Sequence, residues 1–146
     1  MSKTETALGL FDSYNCSQSV LAAYAADYDL DKEKALQIAA GFGAGMGRLQ
    51  EVCGAITGST MVLGLDSQFK ESDTREKNNT VYAKVRSLVK DFTEKKGTIK
   101  CRELLGCDLT TEEGQAFFKE HNLRHKNCGE YIKICCELLD KALNRE

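Results

Sequence analysis

Between Gly41 and Gly58 the chain places six of its twelve glycines, together with one of its seven cysteines. Glycine has no Cβ, so a backbone can turn through positive φ there and a neighbour can approach closely. Gly41 to Gly47 predicts the end or a bend of one helix, and Leu49 to Leu65 predicts the next. Within that second helix Gly54 and Gly58 stand one turn apart, beside Ala55 and Ser59. Each interior glycine costs about 1 kcal/mol relative to alanine. A stripe kept at that cost predicts a close helix–helix contact or a bound group. Gly54 and Gly58 are therefore candidate cofactor-contacting positions as well as packing positions.

Composition narrows what surrounds this stretch. The chain has 146 residues and no proline, which predicts one domain over residues 1–146, rich in helix. A net charge of −2 argues against a nucleic-acid partner. Lys95-Lys96 follows Glu94 and reads as a solvated mixed-charge face. No apolar run approaches the roughly 20 residues of a membrane span. Met1-Ser2-Lys3-Thr4-Glu5-Thr6 has no apolar leader core, so the expected location is cytoplasmic. In that reducing compartment seven cysteines, an odd number, are not a static disulfide framework. Redox exchange, metal binding and burial remain.

Apolar periodicity predicts an all-α chain. Thr4 to Ser13 reads as a short helix with Leu8 and Phe11 inward. Ser13 or Asn15 is positioned to cap a helix from Cys16 to about Asp27, with Cys16, Val20 and Ala23 on its buried stripe. Asp31 is the next cap, before an apolar face of Ala35, Ile38, Ala39 and Phe42. Asp73-Thr74-Arg75-Glu76 fits a capping box for an amphipathic helix through Val81, Val85, Leu88 and Phe92, stopped at Gly97. Cys101 to Gly106 reads as a helical turn, and Thr110-Thr111-Glu112-Glu113 as a second capping box. The last helix runs from near Cys128 to Asn144, with a stripe of Cys128, Ile132, Cys135, Leu139 and Ala142. No alternating strand appears, so the expected fold is a compact multi-helix single domain around the glycine-rich helix.

The cysteines differ in what their positions allow. Cys16 and Cys128 fall at predicted helix starts, where the dipole favours a thiolate. Cys128 and Cys135 are two turns apart, about 10 Å along the axis, too far to share one ion. Cys135 and Cys136 point in different directions and read as core filling. Gly106 is placed to turn Cys107 back toward Cys101. Cys53 adjoins the glycine stripe, where another helix or a compact inorganic cofactor has room. His121-x-x-x-His125-x-x-Cys128 has zinc-like spacing, but no Cys-x-x-Cys half accompanies it, and exposed histidines in a polar connector are the plainer reading. The glycine run lacks the Gly-Lys-Ser/Thr ending of a phosphate loop. Cys-x-x-Cys-His and Cys-x-x-Cys are both absent, against attached haem and against a thioredoxin-like motif.

Five segments together resemble the redox-active family named for its cysteine pattern, C_GCAxxG_C_C. They are Asn15-Cys16-Ser17-Gln18-Ser19-Val20, Phe42-Gly43-Ala44-Gly45-Met46-Gly47-Arg48, Cys53-Gly54-Ala55-Ile56-Thr57-Gly58, Cys101-Arg102-Glu103-Leu104-Leu105-Gly106, and Cys128. The resemblance implies a small helical domain with four characteristic cysteines, Cys16, Cys53, Cys101 and Cys128, and a redox role. Some larger relatives look like split-Soret cytochromes, which carry haem and an iron–sulfur centre. This chain lacks their haem-attachment motif, so the iron–sulfur half of that analogy is the applicable one. Cys107, Cys135 and Cys136 lie outside the pattern.

Three functions follow as expectations. The first is a metal or iron–sulfur protein for electron transfer or sensing, with Cys16, Cys53, Cys101 and Cys128 as ligands, since four thiolates match the need of a two-iron or four-iron cluster. The second is a metal-free thiol–disulfide protein using the same four as redox-active residues. The third is a helical interaction domain with structural cysteines. Each redox reading requires a redox partner that the sequence does not identify.

Overall fold

Short polar caps set most of the helix starts. The computed structural model describes residues 1–145. Helix α1 (Lys3–Leu10) is capped by Ser2 and α3 (Lys32–Ala39) by Asp31. Helix α2 (Cys16–Ala25) carries a complete capping box, in which Asn15 accepts from the Gln18 amide and the Gln18 side chain accepts from the Asn15 amide. Helix α4 is Gly54–Asp66 and α5 is Arg75–Lys96, stopped by Gly97 at φ 85°. Helix α6 (Cys101–Leu105) ends at Gly106 with φ 68°. Helices α7 (Glu112–Glu120) and α8 (Gly129–Ala142) complete the set. The chain is thus all-α, a single helical domain of eight α-helices among the described residues, with one isolated antiparallel bridge, Val52 to Lys100.

Four local expectations are corrected. The helix expected from Leu49 begins only at Gly54, because Ala44 to Arg48 and Gln50 all adopt positive φ, between 53° and 71°. The Asp73 capping box does not form: Asp73 accepts from the Lys70 amide, and Thr74 holds the cap position without a side-chain bond. In the Thr110–Glu113 box Thr111 caps through the Gly114 amide, and Gly114, having no side chain, cannot return the bond. Ile38 and Ala142, expected inward, are exposed.

The core gathers Leu21 and Tyr24 of α2, Leu63 of α4, Phe92 of α5, and Ile132, Cys135, Cys136 and Leu139 of α8. The Tyr24 hydroxyl donates to the Cys136 carbonyl and to the Asp140 carboxylate, so its polar end is satisfied inside. Helix α4 lies tightly on α2. A Cβ added at Gly58 would stand 2.8 Å from the Ser17 carbonyl oxygen and 3.0 Å from the Val20 Cβ. The expected glycine contact is therefore a real one, and it pulls the start of α4 against the start of α2. Among the described residues no helix is long and apolar enough to cross a membrane.

Candidate functional site: a four-cysteine cleft

Four separate segments deliver cysteines to one place. Cys16 opens α2, and Cys53 stands immediately before α4. A Cβ at Gly54 would meet the Cys16 Cβ at 3.0 Å, so the small residue after Cys53 is what lets Cys16 come close. Cys101 is tied to the same junction by backbone pairing: the Cys53 amide donates to Ile99 at 2.8 Å, and the Cys101 amide donates to Glu51 at 2.7 Å. Cys128 ends a π-helical turn, Arg124–Cys128, that runs directly into α8. All four line one cleft of about 490 Å³. Its apolar wall includes Phe11, Leu104, Leu105, Leu109 and Phe118, and its polar groups include Arg48, Arg124, Gln115 and Tyr131.

Cys16 and Cys128 are neighbours in the cleft, and each shifts the other's thiol. The neighbouring Cys128, burial and the surrounding sulfurs hold the Cys16 thiol well above its usual range. Cys16 in turn, helped by the Arg124 charge, lowers the Cys128 thiol. Of the two thiols, Cys128 is the more readily ionised. This corrects the helix-start argument in both cases. The first-turn amide of Gln18 is already taken by Asn15, and the π turn ahead of Cys128 means that no free helix start exists there. What lowers the Cys128 thiol is the neighbouring Cys16 and the Arg124 guanidinium.

Burial pushes the Cys53 thiol up to about 12, against the opposing pull of the Ala55 and Ile56 amides. Cys101 is pushed up to about 11, again by burial first, with Cys128 adding to the rise and the Gln50 amide opposing it. Without a cation the cleft therefore favours thiols over several adjacent thiolates.

The remaining candidates separate. Gly54 lines the cleft, whereas Gly58 meets Ser17 and Val20 and is not part of the lining. Cys107 is partly exposed, and its thiol is raised by burial and then by Cys128. Cys135 and Cys136 are fully buried in the core. His121 and His125 are exposed, and His121 stacks on Phe117 with ring centroids 4.0 Å apart. Among the described residues no three His, Cys, Asp or Glu side chains are grouped to hold a single metal ion.

Two residues that brace the cleft carry no sign of it in the sequence. Arg124 donates to the Phe11 carbonyl and, at 3.0 Å, to the Tyr14 carbonyl, and its guanidinium lies 3.9 Å from the Phe11 ring centre. It ties the turn that leads into Cys16 to the turn that ends at Cys128. In sequence it is one more charge in a polar connector. Gln50, only 2 % exposed, sits between Cys101 and Cys107, and its position after a glycine run gave no sign of burial.

The chain is thus a small helical domain in which four cysteines from four segments line one cleft. The family model described as "Putative redox-active protein (C_GCAxxG_C_C)" matches residues 14–142, and the chain belongs to that family. No curated protein and no solved structure matches it.

Proposed function

We infer that the cleft is an iron–sulfur site held by Cys16, Cys53, Cys101 and Cys128, serving electron transfer or sensing with a redox partner in the cytoplasm. The observation that carries this reading is that these four cysteines line a single cleft. The donor set fits the group: four thiols match the ligand count of a two-iron or four-iron cluster. When bound, such a cluster supplies one-electron exchange. The chain's own residues shape its surroundings. The Ala55 and Ile56 amides favour an anionic Cys53 sulfur, Arg124 offsets negative charge at Cys128, and the leucine and phenylalanine wall limits water.

A second reading has its own support in the Cys16–Cys128 contact. The Cys128 thiolate would attack a partner's disulfide, releasing one partner thiol. Cys16, giving up its proton, would then displace the second, leaving a Cys16–Cys128 disulfide and a reduced partner. Iron and acid-labile sulfide analysis after anaerobic purification and reconstitution separates the two. The first reading expects both elements and visible charge-transfer absorption. Protein that takes up neither, and forms the Cys16–Cys128 disulfide on oxidation, contradicts it and supports the second.

A further inference from the structure

Gln50 combines two costs at one residue. It is a non-glycine residue at φ 57°, a conformation that L side chains rarely adopt, and its amide is buried. Every polar group on it is used. Its backbone N–H donates to Ala44 at 3.1 Å, and its carbonyl accepts from the Arg102 amide at 3.1 Å. The side-chain Oε1 accepts from the Leu109 amide at 2.8 Å. Nε2 donates to the Cys107 carbonyl at 2.9 Å and faces the Cys101 Sγ at 3.9 Å.

The orientation of that amide is forced. Leu109 offers only an N–H and the Cys107 carbonyl offers only an acceptor, so oxygen and nitrogen cannot be exchanged. The NH2 group has no lone pair to receive a thiol proton, so its second N–H meets the sulfur as a donor. Such a contact gains strength as the sulfur becomes more electron-rich.

We propose that Gln50 is a positioning residue for the cysteine site, locking the Cys101 loop and donating a side-chain N–H to the Cys101 sulfur in its anionic or metal-bound form. The proposal rests on the redox reading above. Hydrogen bonds to the sulfurs are among the factors that set a cluster's potential. An N–H donated to a ligand sulfur stabilises the more negative, reduced state and raises that potential.

The test compares the wild-type protein with Gln50→Met, which keeps the shape without the amide, and Gln50→Glu, which keeps an acceptor for Leu109. Circular dichroism first establishes the fold. In anaerobically reconstituted protein both variants should show a lower cluster potential, and an unchanged potential would overturn the proposal. Should wild-type protein take up no cluster, the iron–sulfur reading fails, and Gln50 is tested on metal-free reduced protein. Alkylation by iodoacetamide at fixed pH, read by peptide mass spectrometry, should then be roughly ten-fold slower at Cys101 in Gln50→Met, the factor expected for losing a hydrogen bond to a charged acceptor. Loosening of the loop alone would instead speed both Cys101 and Cys107, and that result would overturn the donor role. If neither variant folds, wild-type protein still decides. Its Gln50 side-chain amide protons should exchange slowly with solvent by NMR, and rapid exchange of both would refute the assignment.

Discussion

At the scale of single residues, the charge state of the cleft follows from which side chains stand together. Cys16 neighbours Cys128, the Arg124 charge lowers the Cys128 thiol, and Gln50 faces Cys101. Gln50 and Cys101 lie 51 residues apart and meet only in the fold, whereas Arg124 stands one turn before Cys128 and its role shows only in what it reaches across to. Burial of the other cysteines has a measurable consequence. Cys136 is pushed from an ordinary value near 9 up to about 12, chiefly by burial and then by Asp140. The folded state therefore holds this proton more tightly than the unfolded chain. Its stabilising contribution is full below pH 9 and is lost as pH rises through about 12. Thermal melts of reduced, metal-free protein should fall over that window, and fall less steeply in Cys136→Ala. Parallel slopes for the two would contradict the assignment. His121 and His125 are both exposed, so changing both to Asn should leave iron uptake intact. Loss of iron in that double variant would bring the histidines back into the site.

At the scale of elements, the glycine-rich segment does two different jobs. Ala44 to Gln50 forms a loop with six positive φ values, cross-tied by Gln50 to Ala44 and Glu51 to Gly45. A Cβ at Gly45 would stand 2.6 Å from the Gln50 Cα, so the loop closes on that glycine. Left-handed geometry costs about 1–2 kcal/mol at each non-glycine residue. That is why apolar periodicity from Leu49 onward suggested helix: the sequence marks the glycines, but nothing marks Met46, Arg48 or Gln50 as left-handed. The packing job was legible, since Gly54 and Gly58 repeat at one helical turn. Gly58→Leu should overpack the α2–α4 contact against Ser17 and Val20 and cost about 1–3 kcal/mol. An unchanged denaturation midpoint would count against that contact. The Asn15 and Asp31 caps were also legible, because each needs only a local side chain. The π turn before Cys128 was not, because it is held by Arg124 reaching across to the carbonyls of Phe11 and Tyr14.

At the scale of the whole molecule, the cleft exists only when α2, the start of α4, α6 and the π turn before α8 are all in place. The glycine stripe brings α4 to α2, the Val52–Lys100 bridge carries Cys101 to Cys53, and Arg124 ties Cys128's turn to the approach to Cys16. The all-α fold could be read from pattern, and so could the four cysteines that line the cleft, while the Gln50 and Arg124 contacts that brace it could not. The proposed function requires Cys16, Cys53, Cys101 and Cys128 to act as one redox site. Iron and sulfide content, measured anaerobically on each of the four Cys→Ser variants beside Cys135→Ser, tests it most directly. Each of the four variants should lose most of its cluster while Cys135→Ser keeps it. Full iron and sulfide retained in the four variants, or loss equally severe in Cys135→Ser, would contradict it.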